Sequence, residues 1–104
     1  MSKKDKISEL TNILSKALRH RIGSIVNEHE IYAERYSKDS DTLIKSAQDI
    51  SLGENWSIYD KAEIKTLLKK KLQKELEEKE FINEKKFKIL DKELEKVLLF
   101  LELN

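Results

Sequence analysis

His20 and His29 are the two side chains of this chain best suited to proton or phosphoryl transfer, because the ordinary pKa of imidazole lies near neutrality. His20 sits in Leu18-Arg19-His20-Arg21-Ile22 between two guanidinium groups, a setting for a solvated imidazole that contacts phosphate or carboxylate. His29 falls on an apolar stripe between Ile25 and Tyr32, where a histidine at the edge of a core bonds a tyrosine or a carbonyl. Glu28 and Glu30 flank it, but neighbours in sequence do not share one helix face, so they do not converge with it on a metal ion. With no cysteine, disulfides, thiolate zinc sites and cysteine nucleophiles are excluded. The only glycines are Gly23 and Gly53, so there is no glycine-rich phosphate loop. All acids are expected on polar helix faces, whereas acid–base catalysis needs one buried carboxyl beside a second. The residues therefore predict a non-catalytic protein with no cofactor, no metal and no small-molecule substrate.

The five residues around His20 resemble the phosphoacceptor helix of two-component histidine kinases and phosphotransferases, where a histidine on an exposed helix face accepts a phosphoryl group. That resemblance implies phosphotransfer through His20. In those families an acid often follows the histidine or an amide lies a few positions on; here Arg21 follows and Ser24 takes the fourth position.

A second chemistry is phosphate binding. Lys16, Arg19, His20 and Arg21, joined by Lys65, Lys69 and Lys70, form the best surface for nucleic acid, since phosphate neutralisation needs clustered cations. Against them stand 20 acids and no aromatic series for base stacking. The net charge is only +1, unevenly placed: six basic against two acidic residues in 1–26, three against eight in 27–60, twelve against ten in 61–104. Such segregation favours pairing between oppositely charged segments over a nucleic-acid surface, which carries a domain-wide basic excess.

The elements that would carry these groups read as helices throughout. Ile7, Leu10, Leu14, Leu18, Ile22, Ile25, His29, Tyr32 and Tyr36 recur every three or four residues, the period of one helix face. Charged residues make up 39% of the chain, against roughly 25% in an average domain, and there is no proline. The spacing predicts a long first helix from Asp5 to Ser37, about 50 Å at 1.5 Å per residue. Residues 37–42, rich in Ser and Asp, are poor helix formers and mark a break. The stripe nevertheless stays in phase through Ser40, Leu43, Ala47 and Ile50, so one unbroken helix to about 51 is the alternative. Gly53 is expected to close that segment in a left-handed conformation. Trp56 should then fold back as a lid, and Ser57 with Asp60 should cap the next helix. Ile64, Leu67, Leu68, Leu72 and Leu76 form its face, and Ile82 with Asn83 marks a further break.

In the last helix Phe87, Leu90, Leu94, Val97 and Leu101 repeat at the three-four spacing of a coiled-coil seam. Its end is apolar nearly all round, and a helix of that kind needs cover on every side. Val97, Leu98, Leu99, Phe100, Leu101 and Leu103 are therefore the candidate partner interface. The expected architecture is all-α, an antiparallel hairpin or three-to-four-helix bundle with coiled-coil-like packing and a long N-terminal helix, in one domain over 1–104. The expected activity is association, with a second copy or a helical partner; a small nucleic-acid-binding protein is the alternative, and phosphotransfer through His20 the third reading. No secretory leader or membrane span is evident, so the expected setting is cytoplasmic.

Overall fold

The stripes are realised as four helices packed against one another. The computed structural model describes residues 2–26, 33–78 and 85–104. They form α1 (Lys3–Val26), α2 (Ala33–Leu52), α3 (Ile58–Glu78) and α4 (Lys85–Phe100), with no strand among them. His29, Tyr32 and the expected break at Ile82 and Asn83 lie outside the described residues, as do the side chains of Tyr36 and Phe87.

α1 is the central helix and touches the other three, while α3 and α4 also touch each other. Direction follows from the ion pairs. Lys3 meets Asp60 and Arg19 meets Glu75, so α1 and α3 run the same way. Lys65 meets Glu95 and Lys69 meets Asp91, so α4 runs back along α3. α2 returns along α1, since Glu54, just past its end, pairs with Lys6. Ile7, Leu10, Leu14, Leu18 and Ile22 of α1, Ile64, Leu68, Leu72 and Leu76 of α3, and Leu90, Leu94 and Leu98 of α4 make the core. These are the three-four positions of the sequence. The expected pairing of the basic segment 1–26 with the acidic segment 27–60 is met in part: Lys3 and Lys6 pair with Asp60 and Glu54, whereas Arg19 and Arg21 pair with Glu75 and Glu93 of the segment 61–104.

The expected run of one helix to Ser37, and the alternative of one unbroken helix to about 51, are corrected: α1 is described over Lys3–Val26, and residues 37–42 lie not at a break but inside α2, which returns along α1. Their polar side chains are accommodated within the helix: Thr42 Oγ1 donates to the Lys38 carbonyl at 3.1 Å and Ser46 Oγ to that of Thr42 at 3.3 Å. Ser40 turns inward and is fully buried. At the other end, α1 begins two residues earlier than expected, because Ser2 and Asp5 form a reciprocal capping box, with Asp5 N–H to Ser2 Oγ at 3.2 Å and Ser2 N–H to Asp5 at 3.4 Å. Ser57 and Asp60 cap α3 in the same way, at 3.1 and 2.9 Å, as the sequence predicts.

The left-handed residue is Glu102, not Gly53. No described glycine has a positive φ, and α2 closes through 3₁₀-type bonds, Gly53 N–H to the Ile50 carbonyl at 3.2 Å and Glu54 N–H to that of Ser51 at 3.4 Å. α4 instead ends in a Schellman motif: Leu103 N–H reaches the Leu98 carbonyl at 2.8 Å, Glu102 N–H reaches that of Leu99 at 3.1 Å, and Glu102 sits at φ 58°. The motif turns Leu103 back into the core, where it is 1% exposed. A non-glycine residue pays a steric cost in that conformation. Glu102→Gly should therefore stabilise the fold by roughly 0.5–1 kcal/mol after the added chain entropy of the unfolded state is subtracted. Urea unfolding of the two proteins measures it, and a loss of stability would refute the role given to this turn.

Trp56 is the expected lid. It is half-buried against the core, its Nε1 donates to the Ser51 carbonyl at 3.0 Å, and the Lys3 ammonium stands 5.9 Å from its ring centre. The Lys6 hydrogen bond to Glu54 and the Lys3 hydrogen bond to Asp60 hold both carboxyls below their ordinary values of 4.5 and 3.8. Groups with lowered folded pKa values contribute stability above those ordinary values and lose it as pH falls through the lowered ones. Acidification should thus change Trp56 fluorescence with a midpoint below 4.5. A midpoint at or above that value would show that Lys3 and Lys6 do not hold this end of the bundle.

Candidate partner-binding groove

Four of the six residues in the candidate interface are spent on the chain's own core. Val97, Leu98, Leu101 and Leu103 are 5%, 0%, 7% and 1% exposed, whereas Leu99 and Phe100 are 64% and 60% exposed. α4 therefore presents an apolar pair at its last turn, held in place by the Schellman motif and by the buried neighbours on either side.

Phe100 forms one edge of a groove of about 260 Å³ between α2 and α4. Leu18 and Arg21 of α1 make the floor, Asp41 and Ile44 of α2 one wall, and Glu93, Lys96, Val97 and Phe100 of α4 the other. The helical period accounts for this layout: 93, 96, 97 and 100 fall on one face of α4, and 41 and 44 on one face of α2. The two walls stand apart because α2 packs against α1 alone among the helices, leaving a trough above α1 lined by apolar Leu18, Ile44, Val97 and Phe100 and by charged Arg21, Asp41, Glu93 and Lys96.

The charge at that trough is the feature the sequence missed. Glu93 is 3% exposed, although every acid was expected on a polar face. Its Oε2 accepts from Arg21 Nε at 2.7 Å and its Oε1 lies 3.4 Å from Lys96 Nζ. Glu93 stands beside Leu94 and one turn from Leu90, so its place at the margin of the apolar seam was the available signal. The pair is lopsided. The Glu93 side chain is 4% exposed and that of Arg21 40%.

No protein-family model, no curated protein and no solved structure matches this chain. For phosphate binding, the structure sets Arg19 against Glu75 at 2.8 Å, Arg21 against Glu93 at 2.7 Å, Lys65 against Glu95 at 2.7 Å and Lys69 against Asp91 at 3.2 Å. Of the seven candidate contacts, Lys16, Lys65, Lys69 and Lys70 are exposed and Arg19, His20 and Arg21 half-buried. A polyanion would have to compete with a carboxylate at four positions, which weakens the gain from releasing its counterions. His20 is half-buried, with its Nε2 3.4 Å from Arg19 Nη2. Among the described residues no group of three or more His, Asp and Glu side chains is placed to hold a metal ion, and no helix is long and apolar enough to cross a membrane.

Lys71 shows what the α1–α3 contact costs. Its ammonium donates to Thr11 Oγ1 at 2.6 Å and to the Ser8 carbonyl at 3.3 Å, and burial pushes its pKa down from 10.5. The group is a tether between helices, reaching a hydroxyl and a carbonyl oxygen of α1.

Proposed function

We propose that this chain is a non-catalytic helical assembly module that associates with another copy of itself or with a helical partner through the groove between α2 and α4. The observation that carries the reading is the placement of Phe100, more than half exposed at the edge of a trough floored by Leu18 and walled by Ile44 and Val97, with Leu99 exposed beside it on the same turn. Aromatic and aliphatic side chains presented this way are the usual anchors of helix-in-groove recognition. The charged edges, Asp41 on α2 and Lys96 on α4, set the orientation of what lies between them.

The test is solution mass against concentration. The unmodified chain should exceed its 12.3 kDa monomer mass as concentration rises, and Leu99→Ser/Phe100→Ser should remain monomeric with an unchanged unfolding curve. A monomer that persists to about 1 mM, the range of the weakest specific contacts, excludes self-association. Loss of fold together with loss of mass would place both side chains in the core instead.

A further inference from the structure

The four helices are attached to the bundle in unequal ways. α1, α3 and α4 each bury a row of large side chains, Leu10 to Ile22, Ile64 to Leu76 and Leu90 to Leu98. Ion pairs also join them: Arg19 to Glu75 between α1 and α3, Arg21 to Glu93 between α1 and α4, and Lys65 to Glu95 and Lys69 to Asp91 between α3 and α4. Among the described side chains of α2, Ser40, Ala47 and Ser51 are buried, while Leu43, Ile44 and Ile50 are only half-covered. The helix rests on α1 and on no other, over the most extensive close backbone approach of any helix pair but with small side chains in between, and Lys6 holds Glu54 in the turn just past its end.

A second observation points the same way. Ser40 Oγ, on the buried side of α2, is the one buried side-chain polar atom without a hydrogen-bond partner among the described residues. An enclosed hydroxyl of that kind regains its hydrogen bond when the helix lifts into water, which favours separation of the two surfaces. Small side chains give little apolar area to oppose it.

We propose that α2 is a detachable strap, which lifts from α1 as a unit while α1, α3 and α4 stay packed, and so removes the Asp41 and Ile44 wall of the groove. The undocking itself is independent of the assembly reading. Its consequence rests on that reading: a partner seated in the groove touches the α2 wall, so it binds the docked form and holds the strap down.

Hydrogen exchange on the full chain, followed by peptide mass at two protein concentrations, tests both parts. At low concentration, peptides within 38–50 should exchange about tenfold or more faster than those within 64–76 and 90–98, beyond what their sequences alone dictate. Ala47→Asp should speed exchange of the first group and leave the other two unchanged, and Ser40→Ala should slow it. Equal exchange of α2 with α3 and α4, or an equal loss of protection everywhere in Ala47→Asp, would overturn the strap. If α2 opens locally and its exchange slows on concentrating the protein, strap and groove-mediated assembly are both supported. If it opens locally at a rate indifferent to concentration, the strap stands and self-association through the groove falls.

Discussion

Leu98→Ala should lower folding stability by about 3 kcal/mol, while Phe100→Ser, two residues on, should change it by less than about 1 kcal/mol. Leu98 is fully enclosed, and its carbonyl accepts the hydrogen bond that turns Leu103 into the core. Truncating it removes buried apolar surface and leaves a cavity that the helices on either side, tied by ion pairs, cannot easily close. Phe100 is 60% exposed, so much of its ring is already in water and its removal opens no comparable void. Urea unfolding followed by circular dichroism measures the difference. The contrast matters because an apolar run alone does not say which of its members build the fold. Equal losses at the two positions would mean that Phe100 is core and that the last turn of α4 has no surplus to offer a partner.

The core was legible because leucine and isoleucine mark it at a helical period. Ile7 through Ile22, Ile64 through Leu76 and Leu90 through Leu101 all lie where that period puts them. The capping box at Ser57 was legible for a similar reason, since the whole motif lies within four residues. Chain reversal was not. The stripe continues in phase from α1 into α2, and neither glycine nor proline separates Val26 from Ala33, so periodicity alone could not show that α2 folds back. The polar stretch 37–42 misled because its residues favour caps when isolated, whereas here Ser40 is covered by α1 and Thr42 bonds its own helix. Gly53 and Glu102 exchanged expected roles for a tertiary reason: Leu103 has a core to enter, and its burial holds Glu102 in a conformation that glycine would adopt more readily.

The candidate site was legible only in part, because exposure within an all-apolar turn depends on which neighbouring helix is present. α3 and α1 cover Leu98 and Leu101, while the separation of α2 from α4 leaves Phe100 at the edge of an open trough. The partner of each charge was equally hidden. Arg19 and Arg21 look like one basic cluster in sequence, yet they bond acids on two different helices, Glu75 of α3 and Glu93 of α4.

That division gives the second large effect. Arg21→Met should cost about 2 kcal/mol, and Glu93→Leu less than about 1 kcal/mol, although both remove the same hydrogen bond. The asymmetry comes from burial: the Glu93 side chain is 4% exposed and that of Arg21 40%. Without Arg21 the carboxylate keeps only Lys96, 3.4 Å away and half in solvent, as compensation for its lost hydration. Without Glu93 the guanidinium turns outward into water and leaves no buried charge behind. The cost for Arg21→Met is set below the 3–5 kcal/mol typical of a fully buried pair because Arg21 is itself part-solvated and Lys96 can move closer. Replacing both, Arg21→Met/Glu93→Leu, should return stability to within about 1 kcal/mol of the unmodified chain, since apolar side chains fill the space without a desolvated charge. A double-mutant cycle by urea unfolding reads all three values. Equal losses from the two single changes would mean that Glu93 is as well solvated as Arg21 and that no desolvated carboxylate lies under the groove.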